Sequence, residues 1–277
     1  MLLPSPSCPT IRVITRSAPN IESTFPPALR SPPHSIVIVN HYESDEFFNA
    51  FQGMETVFHD GLNVHPNEAA MGVTAMDASR KHGVKHFILV SILHPLRRKL
   101  QTHLNKLTLE EYLMESRLNY TILQPTHYMQ NVAISTVRES GKIPIGFPSD
   151  IEHSFVDIVD VVYVSLLVMK NPTKHKYARY ELVSQTLTYA QIAQTLSEAL
   201  GREIVCDVIP TKEFMAMMES SGEIENEFTK NAIEGMMLYY DRWGLTGNSN
   251  VFSWLLGRQP VTWQEYARRE KEKSDAI

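Results

Sequence analysis

Glycine is scarce in this chain: there are 12 in 277 residues, and none precedes Gly53. A turn that needs positive φ or close backbone approach at no steric cost is therefore unavailable to the opening segment. Cysteine is scarcer still. Cys8 and Cys206 are too few for a disulfide framework and lack metal-ligand spacing, so both read as free thiols. No run of about 18 apolar residues occurs, which excludes a membrane-spanning helix. The opening MLLPSPSCP is too short and too proline-broken for a secretory h-region, leaving a cytoplasmic chain as the default. Positive charge is not in excess. A net charge of −5 and a pI near 6.1 argue against a phosphate-backbone binder, and Arg97, Arg98 and Lys99 read as a short solvated cluster, so no direct nucleic acid contact is expected. Eleven histidines invite a metal, but Gly83 separates His82 at a helix end from His86 at a strand start, and no HExxH or Cys/His ladder exists. No metal site is expected, and no G-x-S-x-G elbow supports an acyl hydrolase.

What is present is a chain with 43% hydrophobic residues, enough for one large or two unequal domains. Residues 1–35 hold eight of the sixteen prolines, which leaves IRVIT at Ile11–Thr15 as the only strand expected there. Next come IVIV at Ile36–Val39, a short helix capped by Ser44 and closed by Gly53, ETVF ending near Phe58, and a helix from Pro66 to His82. The pattern predicts helix over Tyr128–Ser140 and a capped FVDIVD turn leading into an apolar helix from Ser154 to Lys170. Tyr180–Ser184 and Ile204–Val208 read as strands. Thr188–Leu200 reads as a helix, with Thr188 and Gln191 in capping-box spacing. Beyond Pro210 the chain turns helical and methionine-rich, with FMAMM at 214–218 and MMLYY at 236–240 either plain core or the wall of a substrate pocket. Strand and helix alternate from residue 11 to about 170, the α/β signature, followed by a smaller α+β lobe.

The stretch from Gly83 to Asn131 organises the rest. Phe87–Val90 and Tyr120–Leu123 are short and nearly all apolar, and between them lies an amphipathic segment, Leu104–Ser116. That order is strand, crossover helix, strand, in a parallel sheet covered on both faces. Ligands of such sheets collect where strands end at their carboxyl edge, where Ser91 and Gln124 to His127 are expected, within reach of Lys106.

GVKHFILVS, KLTLEEYL at Lys106–Leu113 and LNYTILQPTHYMQN resemble the NmrA-like branch of the atypical short-chain dehydrogenase/reductases, as do TLTYAQIAQTLSEALGREI and LLGRQPVTWQEYA toward the C-terminus. The likeness runs from about Ile11 to about Tyr266. It implies a Rossmann-like NAD(P)-binding domain over 11–150, with parts of 151–185, after a leader of residues 1–10, and a C-terminal substrate lobe over 186–277. It does not imply one reaction, since the family includes reductases, isomerase-like enzymes and regulators without catalysis.

Measured against that family the chain is N-terminally truncated: the glycine-rich strand-turn-helix that cradles a pyrophosphate has no counterpart, and IRVITR aligns with the family's second strand. The missing strand would lie in mid-sheet. Losing its four or five buried aliphatic residues forfeits roughly 6 to 15 kcal/mol, comparable to the whole stability of a domain. Three expectations follow: an incomplete gene model, a sheet closed up with IRVIT against ETVF, or a partner chain filling the gap. The family's Gly-Asp after its third strand is replaced by Asn40-His41.

The resemblance assigns roles residue by residue. Arg16, flanked by Thr15 and Ser17, falls where a guanidinium pairs with the adenosine 2′-phosphate, favouring NADP. His41 is placed to meet adenine. Ser91 occupies the position of a serine that orients a carbonyl. Lys106 matches the lysine that holds ribose hydroxyls, or else forms an exposed pair with Glu110. The usual tyrosine before that lysine is absent, and His103 stands nearby as an alternative acid. Pro125, Thr126, His127 and Tyr128 match the loop beside the nicotinamide, with His127 or Tyr128 as proton donor. Asn131 caps or touches substrate, and His59 shares the rim. The expected activity is NADP-dependent reduction of a medium-sized carbonyl or enone. A non-catalytic NADP-sensing regulator or degenerate scaffold and a cofactor-independent isomerase or dehydratase are the alternatives. A homodimer is left open.

Overall fold

Three short apolar runs decide the centre of the molecule. In the computed structural model, which describes residues 10–15, 21 and 25–275, they form parallel strands β3 (Thr56–His59), β4 (His86–Val90) and β5 (Tyr120–Pro125), extended by β9 (Ala178–Leu182) in the order β3-β4-β5-β9. The register sets Phe87 beside Tyr120 and Val90 beside Leu123, so the segments expected to be neighbouring parallel strands are neighbours. Alternate β4 side chains face opposite layers, as a two-residue period requires. Phe87 and Leu89 bury against Ala75 and Met76 of α2 (Glu68–Lys81) and Leu109 and Leu113 of α3 (Gln101–Glu115). Ile88 turns the other way, toward Val161, Val164 and Val168 of α5 (Ile158–Lys170). Each such side chain, fully withdrawn from water, contributes about 1.5 to 3 kcal/mol. This is the α/β, Rossmann-type arrangement. Gly72 lets α2 and α3 approach closely: a Cβ there would lie 2.4 Å from a Leu109 methyl.

The sheet is interrupted. β1 (Arg12–Thr15) pairs in parallel with β2 (Ser35–Ile38), and among the described residues neither bonds to the four-stranded sheet. The closed-up sheet is thereby corrected: β1 does not pair with β3. Other forces hold β1 elsewhere. Arg12 donates to Ala50 O and Gln52 O at 2.8 and 2.9 Å, just past α1 (Asp45–Asn49). Ile14 and Val37 share a core with Phe47, Phe51 and Met76. Ile38 and Phe58 remain exposed.

Two further readings need correction. Tyr128–Ser140 is not one helix: β6 (His127–Tyr128) leads through a 3₁₀ turn at Met129–Asn131 to α4 (Ile134–Ser140), which ends at Gly141 with φ of 74°. Ser154 lies not in a turn but in β8 (Glu152–Val156), flanked by β6 and β10 (Gln185–Thr188). β7 (Lys142–Ile145) pairs with β11 (Val205–Val208). The partners of β7 and β8 are distant in sequence, so local pattern did not reveal these strands.

The remaining helices are α6 (Tyr189–Leu200), α7 (Thr211–Ser220), α8 (Glu227–Trp243), α9 (Asn250–Leu256) and α10 (Trp263–Asp275). The Thr188–Gln191 capping box of α6 forms as expected. Two fully buried carboxylates dock the C-terminal segment. Asp157 caps α5 through Val159 N and accepts from Arg269 at 2.6 Å. Asp160 accepts from Val261 N at 2.7 Å and pairs with Arg258. Among the described residues no helix is long and apolar enough to cross a membrane.

Candidate functional site

The carboxyl ends of β3 and β4 meet around Lys106. This side chain leaves α3 almost completely buried; its ammonium donates to Val90 O at 3.0 Å and Asp60 O at 3.3 Å and forms an ion pair with Glu68 Oε1 at 2.8 Å that lacks hydrogen-bond alignment. An ammonium has three protons, of which two are engaged by backbone carbonyls. The expected exposed Lys106–Glu110 pair is not formed. Glu68, at the start of α2, also accepts from Asn105 at 3.4 Å. Lys106 thus joins two strand ends to a helix start.

Beside this joint lies Gly61, with φ of 75°. A Cβ here would come 3.3 Å from His59 Nε2 and 3.9 Å from Lys106 Nζ. His59 rests against Phe87, with ring centroids 5.8 Å apart. Its Nε2 is buried without a hydrogen-bond partner among the described residues. Burial, aided by the Lys106 charge, lowers its pKa to about 4, so it is neutral at ordinary pH. Asp60 is raised by burial and drawn back by Lys106. Burial, reinforced by the Asp60 charge, pushes the Tyr128 phenol up to about 12.

Ser91 points elsewhere. Its hydroxyl donates to the buried Glu110, which also accepts from Gln124 Nε2 at 2.7 Å and faces Arg179 at 3.8 Å. Ser91 is therefore committed within the protein rather than presented to a carbonyl. His103 is also turned inward: Nδ1 bonds His94 O at 2.9 Å, and burial lowers its pKa to about 4.

On the far side of Pro125, itself buried at the end of β5, stands a cluster of rings. His127 Nε2 lies 3.0 Å from the Tyr240 hydroxyl of α8, and its ring stacks on His153 of β8 at 5.2 Å. Phe147, Phe155 and Tyr189 complete the enclosure. Burial first, then His153 and His103, lowers the His127 pKa to about 3. Burial alone takes fully enclosed His153 to about 4. Both are neutral rings, and neither nitrogen of His153 has a partner among the described residues. Asn131 closes the turn after Tyr128.

Of the residues expected to bind the adenosine end, Thr15 ends β1, and His41 is exposed after β2. Arg16 and Ser17 lie outside the described residues. The structure brings together His59, Asp60, Lys106 and Tyr128 as one group and His127, His153 and Tyr240 as another, and sets Ser91 apart from both. Glu68 and His153 are neighbours of these groups that the sequence reading did not single out, whereas Glu110 was expected to pair with Lys106 and instead meets Ser91 and Gln124. Glu68 carries only the ordinary signal of an acid in a helix's first turn, and nothing local couples it to Lys106.

The residue types fit the ribose and nicotinamide end of a dinucleotide: Gly61, without a side chain, lies beside an unpartnered imidazole nitrogen and an ammonium, both of which suit a hydroxyl-bearing ligand. They do not supply a pyrophosphate cradle. Among the described residues no glycine-rich turn precedes a helix start near β1 or β3.

Comparison with known proteins places this geometry. The model of the NmrA-like family matches residues 9–267. Agroclavine dehydrogenase of Claviceps fusiformis is 26% identical over 168 residues, 57% of this chain and 55% of that protein. NAD(P)H azoreductase of Xenophilus azovorans is 25% identical over 177 residues, 58% and 59% of the two chains. The chain spans a little over half the length of these curated relatives. The solved structure of Citrobacter sp. triphenylmethane reductase complexed with NADP(H) aligns with a TM-score of 0.76 at 18% identity, covering 94% of this chain and 89% of that one, which shows a common fold.

Proposed function

We propose, on the premise that this chain belongs to the NmrA-like family, that it is an NADP-type reductase of a medium-sized conjugated carbonyl or enone. The observation that carries this reading is the convergence of the unpartnered His59 Nε2 and the Lys106 ammonium on side-chain-free Gly61 at the carboxyl edge of the parallel sheet. Relatives with dehydrogenase and NAD(P)H azoreductase activity support it. Bound NADPH would supply the hydride. Lys106 and His59 hold hydroxyls of the ribose. The Tyr128 phenol, kept protonated by burial and by Asp60, donates to the acceptor oxygen as negative charge develops there. Its proton completes the addition of hydride and proton across the reduced bond. His127, neutral and braced by Tyr240, forms the opposite wall.

Titration with NADPH should quench or shift cofactor fluorescence, and a screen of enones and quinones should reveal consumption at 340 nm. A Tyr128→Phe variant should then lose about 100-fold in kcat with KM little changed. Absence of NADPH binding at millimolar concentration would remove the proposal. A second reading, a non-catalytic NADP-sensing member, is favoured by one observation: Lys106 is paired with buried Glu68, and the Ser91 hydroxyl is already committed to Glu110. Cofactor binding without turnover of any acceptor would select it.

A further inference from the structure

The run Arg97, Arg98 and Lys99 is not a free loop. It is laid across the end of α8: His94 Nε2 lies 2.8 Å from Thr246 O, and Arg97 donates to Gly244 O at 2.9 Å. Arg97 sits over the Tyr239 ring at 5.7 Å, and Lys99 and Arg242 each sit over the Trp243 ring at 5.0 Å. The two rings are 4.9 Å apart. With exposed Arg98 this makes a platform of two aromatic rings and four cations. Among the described residues none of these cations has a carboxylate within ion-pair distance. Glu234 and Asp241, about a turn to either side of Leu238 on the same helix, do not neutralise them. In a chain of net charge −5 this is a local excess of the opposite sign. Apolar side chains stand on the same surface. Leu96 is 72% accessible, the highest value for a large apolar side chain among the described residues, and Leu238 and Trp243 are 60% and 49% accessible. Leu238, Tyr239, Arg242 and Trp243 fall at i, i+1, i+4 and i+5, on one side of α8.

We propose that this surface docks on an anionic lipid bilayer, with Leu96, Leu238 and the edge of Trp243 at the acyl boundary and Arg98, Lys99 and Arg242 among the headgroup anions. Arg97, tied to Gly244 O and Tyr239, holds the loop in place for this. Three features favour a bilayer over other anionic partners. First, two signals that are weak alone coincide: exposed aliphatic side chains give marginal membrane binding, and adjoining cations make it stable on anionic lipid. Second, the cations lie over the rings, where a stacking nucleobase would have to displace them. Third, an acidic polypeptide answers the charges but leaves the two leucines nothing to bury against, whereas a bilayer takes in the apolar stems and leaves the cationic heads in water. Tryptophan suits that boundary, being apolar in body and polar at one edge. Tyr240, next to Tyr239, carries the hydroxyl that meets His127. A docked molecule therefore turns the ring cluster's side toward the lipid.

Sedimentation of the full chain with phosphatidylcholine vesicles containing about 30% phosphatidylserine should carry it into the pellet at low salt. Raising the NaCl concentration should release it as the charges are screened. Vesicles of phosphatidylcholine alone should leave it in the supernatant. Arg98→Gln combined with Lys99→Gln should weaken partitioning about 25-fold, at roughly 5-fold for each cation removed. Leu96→Ser should weaken it too while leaving the salt dependence unchanged. These are exposed loop positions, so far-UV circular dichroism and melting temperature should not move. Vesicles should also shift tryptophan emission to the blue in the parent, and Trp243→Phe should remove that shift. A parent that stays in solution with the anionic vesicles overturns the proposal, as does partitioning that survives the double substitution or Leu96→Ser. So does binding to oligothymidine or polyglutamate without binding to vesicles.

Discussion

Replacing Lys106 by methionine tests the joint at the strand ends. The change keeps an unbranched side chain one atom shorter and removes the ammonium with its charge and donors. Lys106 and Glu68 are 3% and 1% exposed, and after the substitution the Glu68 carboxylate retains Asn105 at 3.4 Å as its remaining side-chain partner. Val90 O and Asp60 O lose a donor as well. Breaking one side of a buried ion pair costs about 3 to 5 kcal/mol, mostly because the other charge is left unpaired. For a chain of this size that corresponds to a fall in Tm of roughly 6 to 20 °C. Urea unfolding followed by circular dichroism should show a lower midpoint with an unchanged m-value. Adding Glu68→Gln should recover a large part of the loss, because the amide can still meet Asn105 and no charge remains buried. The two changes together should therefore cost less than their sum by about 1 to 3 kcal/mol. A loss below about 1 kcal/mol for Lys106→Met, or strict additivity in the cycle, would refute the claim that this pair bears on the fold.

Three more outcomes are expected. His59, His103 and His153 have folded-state pKa values of about 4 and His127 about 3, all below 6.5. The unfolded chain therefore takes up protons that the folded chain refuses, and stability should hold above pH 6.5 and decline as pH falls toward 4. His153→Leu removes a ring whose nitrogens have no partner and should flatten that decline in pH-dependent unfolding. Gly244→Ala should be severe, since φ is 57° and the new Cβ would meet Glu152 O at 2.1 Å; thermal melts should show a loss of at least about 1 to 3 kcal/mol. Thr188→Ala removes the hydroxyl that accepts from Gln191 N at 3.1 Å and should cost about 1 kcal/mol by the same measurement.

The local code for much of this molecule was readable. FILV and YTIL are short, apolar and separated by one helix, and they became adjacent strands because burial on both faces leaves such runs little else to form. Ser44, Gly83, Gly141 and the Thr188–Gln191 pair act within one turn of chain, so spacing alone located those helix ends. The KIPI and EHSFV strands were not readable, because their partners are distant in sequence. The separation of β1 from β3 was equally hidden, since it depends on Arg12 reaching the carbonyls after α1.

The candidate site divides in the same way. Pattern alone pointed to the parallel sheet and its carboxyl edge, with His59 and His127 following strand ends and Lys106 within reach from the crossover helix, and the family resemblance added Tyr128. Only the tertiary structure decided what those groups are free to do. Glu68 pairs its charge with Lys106, Glu110 accepts from the Ser91 hydroxyl, and Tyr240 reaches His127 from 113 residues away. The physical reason is that a buried polar group must find its partner in space, and the chain gives no local sign of which distant residue will arrive.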